Sequence, residues 1–498
     1  MNTPTIPNLD PRALAKELSG VHLIDGELVR AASSKTFSVM NPATGETFAE
    51  AAAGDAADVD RAVQAAASGQ IAWAQMAPRK RGELLIAGAA LLDLHAEEIA
   101  RLLALESGKA LRTESRLEPP LVADCLRYYG GLASELKGET VPFDPTMLVF
   151  TQREPIGVVG AIIPWNVPLL LMAFKIAPAL AAGNAVVVKS AEEAPFASLR
   201  VVQLLNRVLP KGVLNILSGD GPTCGGPLCE HPKVGKLTFT GSVDTGRIIA
   251  HAAAEKLIPV TLELGGKSPM IVMADADLEK AVNGAVAGMR FTRQGQSCTA
   301  ASRMLIHASI HDEFVERLKQ KVGQLVMGDP LDEATDIGTI VSPAQVERVT
   351  RYVELGRAVP GATAHVLCAK PTDPKFANGL FLQPVVFTGI PNDHRLAQEE
   401  IFGPVTCVIP FETFDEAIAM ANDSDFGLAA TMWTRDLKAA MDATQRLKAG
   451  FVQVNQNMVA RAGVSYGGIK HSGLGKEASI EAMLDHFTHK KTVLINLS

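Results

Sequence analysis

An α/β protein built on parallel sheets is the fold class that the sequence predicts, on three observations. Residues 156–163 and 185–188 are short apolar runs without alternation, the mark of strands buried on both faces. An apolar stretch at helical spacing, residues 169–182, lies between them. Strand, helix and strand at this distance make a βαβ unit, which requires a parallel pair. The pattern continues through strands at 213–217, 236–240 and 259–264, so this half reads as a Rossmann-like nucleotide fold.

Upstream, residues 56–69 and 79–107 are rich in Ala and Leu at helical spacing, with Gly108 as the stop. A second α/β region follows Gly265-Gly266, with strands at 271–273 and 303–307 and helices at 278–290 and 311–325. Two segments fit neither core. Residues 139–152 are extended and interrupted by proline, and 492–497 form an apolar terminal strand. An apolar edge strand needs a partner. Both segments are hard to satisfy inside one subunit, which predicts a homo-oligomer, dimer or tetramer.

At 498 residues, with 47% hydrophobic and 20% charged residues, the chain is too long for one core and is expected to hold two or three domains. The net charge of −7 argues against nucleic acid or an anionic membrane as partner. The N-terminus has no basic segment followed by an apolar core, and no run reaches the roughly 18 apolar residues of a membrane span. The six cysteines include no C-x-x-C pair, and Cys224 and Cys229 lack partners at zinc spacing, so no metal site is expected. Free thiols suit a reducing compartment and a cytoplasmic protein.

Chemistry enters with two motifs. Cys298 stands in Gly295-Gln296-Ser297-Cys298-Thr299, where small neighbours leave room for a carbonyl carbon to reach sulfur. Glu263 stands in Leu262-Glu263-Leu264-Gly265-Gly266-Lys267. A thiol that attacks a carbonyl needs a second group to finish turnover, since the resulting thioester must be hydrolysed. Buried cysteines are ordinarily small hydrophobes and terminal glutamates ordinarily solvated, so neither motif decides alone. In chain order with Pro164-Trp165-Asn166, Phe239-Thr240-Gly241-Ser242 and Glu400-Ile401-Phe402-Gly403-Pro404, they resemble the NAD(P)-dependent aldehyde dehydrogenase superfamily. The resemblance runs from Asn41-Pro42-Ala43-Thr44-Gly45 to the C-terminal tail.

That resemblance implies an NAD-binding domain at 1–133 and 153–262, a catalytic domain at 263–465, and an oligomerisation arm at 134–152 and 480–498. It implies Cys298 as nucleophile, Glu263 as the base of deacylation, and Asn166 as oxyanion donor beside the Cys298 N–H. Asn166 also has a plainer reading, as cap of a helix starting at Pro168. No G-x-G-x-x-G fingerprint occurs. Instead Gly241 and Ser242 open a helix after a strand, a weak pyrophosphate signal on its own. The family match adds Lys189, Ser190, Ala191 and Glu192 for the adenosine ribose, and Glu400 and Phe402 for the nicotinamide end. Ile163, Pro164, Trp165, Gly221, Phe239, Leu264 and Gly265 complete the expected cofactor set with Glu263. Glu192 would oppose a 2′-phosphate, favouring NAD over NADP.

The implied reaction is oxidation of an aldehyde to the acid with NAD as acceptor. By analogy the acyl channel is lined by Leu170, Leu171, Phe174, Ser297, Thr299, Met458, Ala460 and Tyr466, which predicts a neutral aldehyde, apolar or aromatic or terpenoid. Phe174 stands where semialdehyde-specific relatives place arginine, although Arg293 or Arg461 would reverse the expectation by pointing inward. Lys175 is expected to be structural, and Lys267 and Lys470 to support loops. Competing readings are a semialdehyde dehydrogenase, an acylating enzyme using coenzyme A, a cysteine hydrolase, and a non-catalytic binding protein. Glu263 argues against the acylating enzyme. The hydrolase lacks a histidine partner for Cys298 and any use for Lys189, Glu192, Glu400 and Phe402.

Overall fold

Five parallel strands lie at the centre of an eight-stranded sheet: Val158–Ile162, Ala185–Lys189, Leu214–Leu217, Val234–Thr240 and Val260–Glu263. The computed structural model describes residues 9–498. In space these strands run third, second, first, fourth, fifth. The order reverses beside Val158–Ile162, and the crevice beyond the carboxyl ends at such a switch point is where open α/β sheets bind ligands. Alternation sorts the two faces. Val186 and Val188 pack with the helix Pro168–Ala181, whose residues are all buried. Ala185 and Val187 pack with Val59, Ala62, Val63 and Ala66 of Ala56–Gln75. That helix starts on a capping box formed by Asp55 and Asp58.

The single helix expected at 79–107 is two, Pro78–Leu94 and Ala96–Ser107. His95 breaks them: its backbone leaves the helical region, its N–H donates to the Leu91 carbonyl, and its carbonyl accepts from Ile99. Gly108 ends the second helix in the left-handed region at φ 71°, a conformation glycine adopts at least cost.

The chain crosses to a seven-stranded sheet between Glu263 and Pro269. Its order is Thr363–Val366, Val385–Thr388, Val405–Phe411, Arg303–His307, Pro269–Val272, Ala429–Trp433 and Phe451–Val454. All pairs are parallel except that of the edge strand Thr363–Val366. The tail then returns: Gly473 and Leu474 pair antiparallel with Glu263 and Leu262, extending the first sheet.

The two segments that fitted neither core meet each other. Thr488–Asn496 pairs antiparallel with Met147–Pro155 over nine residue pairs, and Thr140–Val141 closes the other side of a three-stranded sheet. This corrects the expectation that both would be hard to satisfy within one subunit. Residues 140–155 fold back as a hairpin and offer the terminal strand an edge of its own length. The outer edge of Thr488–Asn496 stays open, with Leu494 57% and Ile495 43% exposed.

Removing residues 492–498 leaves residues 147–151 without their partner strand. Soluble yield and the thermal unfolding midpoint should both fall, read by lysate fractionation and scanning fluorimetry. A truncated chain as soluble and as heat-resistant as the full one would contradict this account of the arm.

Candidate active site

Cys298 lies in a loop that follows the helix Leu278–Met289 and a single 3₁₀ turn, Phe291–Arg293. Gln296 fixes the loop. Its Oε1 accepts from Val341 N at 3.0 Å, and its Nε2 donates to the Arg293 and Thr339 carbonyls. Its carbonyl accepts from Asn166 Nδ2 at 3.1 Å, which turns the Asn166 amide toward the cysteine loop. Asn166 does not cap the helix at Pro168: its N-cap is Val167, without a side-chain bond. The carboxylate of Glu118 takes that place, accepting from Leu169 N at 3.1 Å while paired with Lys109. Lys109 Nζ in turn donates to the Asn166 carbonyl at 2.9 Å.

The Cys298 sulfur lies 3.4 Å from the Tyr466 hydroxyl. Burial pushes the thiol pKa up to about 11, with the Tyr466 bond pulling the other way. Glu263 ends the strand Val260–Glu263 and is 2% exposed. Neither of its carboxyl oxygens has a hydrogen-bond partner among the described residues. Burial, then the like charge of Glu477, raises its pKa well above the carboxylate range, opposed by Lys175 and Lys476. Lys175, expected to be structural, pairs with Glu477 Oε1 at 2.6 Å and donates to Thr240 Oγ1 at 2.8 Å. A cation and a second carboxylate therefore sit behind Glu263. Gly467, at φ 143°, passes so close that a Cβ there would collide with Glu263 Oε1.

Two cavities meet at this point. A crevice of about 740 Å³, its mouth included, runs over the switch point of the first sheet. It is lined by Pro164, Trp165, Gly241, Ser242, Leu264, Gly265, Glu400 and Phe402 of the expected cofactor set. Ser242 caps the helix Val243–Glu255 through Thr245 N. Glu400 Oε1 accepts from Gly266 N at 3.0 Å, and burial lifts its pKa to about 7. Phe402 packs edge-on to Trp165 with ring centroids 5.2 Å apart. Thr240, inside the Phe239–Ser242 motif but not among the expected site residues, also lines the crevice, as do Gln345 and Arg348, which carry no motif that would have revealed them. Gln345 and Arg348, three apart on one helix face, hold the Glu400–Phe402 segment by its carbonyls.

Other expected cofactor residues lie outside that lining, on the carboxyl edge of the same strands. Ile163 N donates to the Lys189 carbonyl and Ser190 N to that of Leu217. Lys189 Nζ pairs with Glu192 at 2.9 Å. Ala191 is buried between them. Gly221 opens a short turn after Leu214–Leu217, and Phe239 packs in the sheet core beneath Gly241.

The second cavity, about 480 Å³ with its mouth, is lined by Leu170, Leu171, Phe174, Ser297, Thr299, Met458, Ala460 and Tyr466, with Val167, Phe451 and Val459 added. Asn166 and Cys298 line both cavities. Arg461 is exposed and absent from the lining. Arg293 reaches the channel wall but is bound to Glu114, Nε to Oε2 at 2.8 Å. Arg290, which no sequence motif marks, lines the channel as well. Lys470 supports a loop as expected, donating to the Asn422 and Ser424 carbonyls. The ammonium of Lys267 has no partner among the described residues, and burial lowers its pKa to about 8.

A parallel-sheet crevice joined to an apolar channel at a cysteine defines a dehydrogenase-like site, and comparison with known proteins specifies the family. The model of the Aldehyde dehydrogenase family matches residues 29–493, and the chain belongs to that family. It is 42% identical over 479 residues to the mitochondrial benzaldehyde dehydrogenase of Antirrhinum majus, covering 95% of this chain and 88% of that protein. It is 41% identical over 501 residues to the phenylacetaldehyde dehydrogenase of Pseudomonas fluorescens, covering 99% and 98%. A Bacillus cereus aldehyde dehydrogenase solved as its NAD+ complex superposes with a TM-score of 0.93 at 37% identity, covering 99% of this chain and 100% of that one.

A thiol with its pKa raised to about 11 is protonated at neutral pH, so only a small fraction is nucleophilic thiolate. Alkylation of Cys298 by iodoacetamide, in the protein without added nucleotide, should keep accelerating through pH 9. Peptide mapping across pH checks this; a plateau below pH 8 would contradict the burial argument.

Proposed function

We propose that the protein oxidises an aldehyde to its carboxylic acid, with NAD as hydride acceptor, and that Cys298, Asn166 and Glu263 carry the reaction. The observation that carries this reading is the position of Cys298 and Asn166 on the wall shared by crevice and channel. A carbon bonded to that sulfur faces the cofactor crevice on one side and the channel on the other. The crevice suits a dinucleotide: it lies at the switch point of the sheet, and Gly241 and Ser242 present a helix N-terminus to a pyrophosphate. Bound NAD would supply the hydride acceptor.

The Cys298 thiolate adds to the aldehyde carbon, and the oxygen becomes an alkoxide held by Asn166 Nδ2 and the Cys298 N–H. The side-chain amide of Asn166 has two N–H groups: one stays on the Gln296 carbonyl and the other donates to the alkoxide. Loss of hydride from the same carbon leaves a thioester. Glu263 takes a proton from water, which adds to the thioester; the carbon–sulfur bond breaks and the acid leaves. The overall balance is aldehyde, NAD+ and water to acid, NADH and a proton. A buried base must be ionised to act, and the Lys175–Glu477 pair behind Glu263 sets the field in which it titrates. Because burial raises the Glu263 pKa, deacylation gains rate as pH rises.

The apolar channel favours a neutral aldehyde with an apolar or aromatic body, in line with the benzaldehyde and phenylacetaldehyde relatives. The salt bridge of Glu192 to Lys189 places a carboxylate at the strand end, which supports NAD over NADP. We also assign the cofactor domain to residues 1–133 and 153–262, the catalytic domain to 263–465 and the arm to 134–152 and 480–498. The reading includes a cytoplasmic enzyme, in keeping with six unpaired cysteines.

Cys298→Ala should abolish NADH formation. Glu263→Gln should retain a burst near one NADH per site on rapid mixing, followed by turnover slowed by about 100-fold or more. Normal steady-state turnover in Glu263→Gln would remove it from the base role.

The open edge of Thr488–Asn496, with Leu494 and Ile495 exposed, supports a homo-oligomer, dimer or tetramer. Light scattering at assay concentration should give a multiple of the subunit mass; the mass of one subunit would overturn this.

A further inference from the structure

Among the described residues, Arg290 is the one cation on the channel wall that no carboxylate pairs directly. The wall and the layer behind it hold Lys109, Arg290 and Arg293 against Glu114 and Glu118. Lys109 is bound to Glu118. Both oxygens of Glu114 are taken, Oε1 by Thr292 and Oε2 by Arg293; Arg290 feels that carboxylate only at longer range. The hydrogen bond recorded for Arg290, Nη2 to the Asn457 carbonyl, is 3.5 Å long, beyond ordinary N–H···O distances. A guanidinium has five N–H donors and no acceptor, so most of the donors of this channel-lining side chain have no partner among the described residues.

Its neighbours make that capacity costly to leave unused. Val167, Leu170, Leu171, Phe174, Phe451 and Met458 give the channel an apolar wall, and a polar group among such residues seeks a partner. The backbone adds a second sign. Arg290 caps its helix in the left-handed region, φ 57° and ψ 44°, which a side chain with a Cβ adopts at some cost. Asn457 braces this corner, donating to the Gly284 carbonyl and accepting from Thr431 Oγ1 at 2.6 Å.

We propose that Arg290 is a specificity residue: it donates to an oxygen substituent on the ring of an aromatic aldehyde whose carbonyl lies at Cys298. This rests on the reading of the channel as the aldehyde's path. The rest of the wall supplies apolar contact to the ring, and Arg290 reads the substituent. A site built to hydrogen-bond a substituent discriminates against the analogue lacking it, because the donor is then left unpaired.

The test compares kcat/KM for benzaldehyde with 3- and 4-hydroxybenzaldehyde and their methoxy counterparts, in the unaltered enzyme and in Arg290→Met and Arg290→Lys. The unaltered enzyme should favour at least one oxygenated ring by about tenfold or more. Arg290→Met should bring that ratio near one, and Arg290→Lys should restore part of it. An altered fold would lower every substrate together and leave the ratio in place. A second readout needs no turnover: 3- and 4-hydroxybenzamide against benzamide as protectants of Cys298 from iodoacetamide. Better protection by a hydroxylated amide, lost in Arg290→Met, supports the contact even if aldehyde oxidation itself fails. No preference in the unaltered enzyme by either readout, or one unchanged in Arg290→Met, overturns the proposal.

Discussion

The side chain of Gln296 holds the site together. Its amide ties the Cys298 loop to the backbone at Thr339 and Val341 in the second sheet's half, while the backbone carbonyl of Gln296 receives the Asn166 side chain from the first. Through Lys109 and Glu118 the same linkage continues to the start of Pro168–Ala181. The distance between sulfur and amide is thereby set by hydrogen bonds rather than by loop contacts alone. Buried and fully engaged networks of this kind rigidify what they join.

Charge is handled differently on the two sides of that clasp. Toward the sheet edge, Lys175 and Glu477 form a buried pair whose desolvation is offset by Thr238 and Thr240. Glu263 is left beside them with no hydrogen-bond partner among the described residues, an arrangement that weakens its hold on the ionised state. Buried ion pairs seldom add much net stability. This one is better understood as a fixed field around a carboxylate that must change its protonation. The orphaned oxygens of Glu263 are a cost the fold accepts at a working position.

Much of the architecture was legible because it rests on local pattern. Apolar runs such as 185–188 announced strands buried on both faces, and their spacing announced parallel crossovers. The channel residues, from Leu170 to Tyr466, were reachable only because a family resemblance spans the chain; no periodicity joins Phe174 to Met458. What escaped was long-range pairing. The break at His95 depends on a helix entering its own cap, and the role of Glu118 at Leu169 depends on two elements fifty residues apart. Arg290 was invisible beside Arg293 because one guanidinium is matched by Glu114 and the other is not. Charge matching of that sort is a property of the fold, not of the string.

The order of synthesis gives the tail a further meaning. Cys298, Asn166 and most of both sheets are encoded before residue 455, yet Gly467, Gly473 and Glu477 close the surroundings of Glu263 only afterwards. The ladder between Thr488–Asn496 and Met147–Pro155 joins residues more than three hundred positions apart, and contacts of such separation form late. During synthesis the residues around Cys298 therefore emerge before those that enclose Glu263, and the hairpin at 140–155 emerges long before the strand that pairs with it. Chaperone contact would be concentrated on that waiting edge.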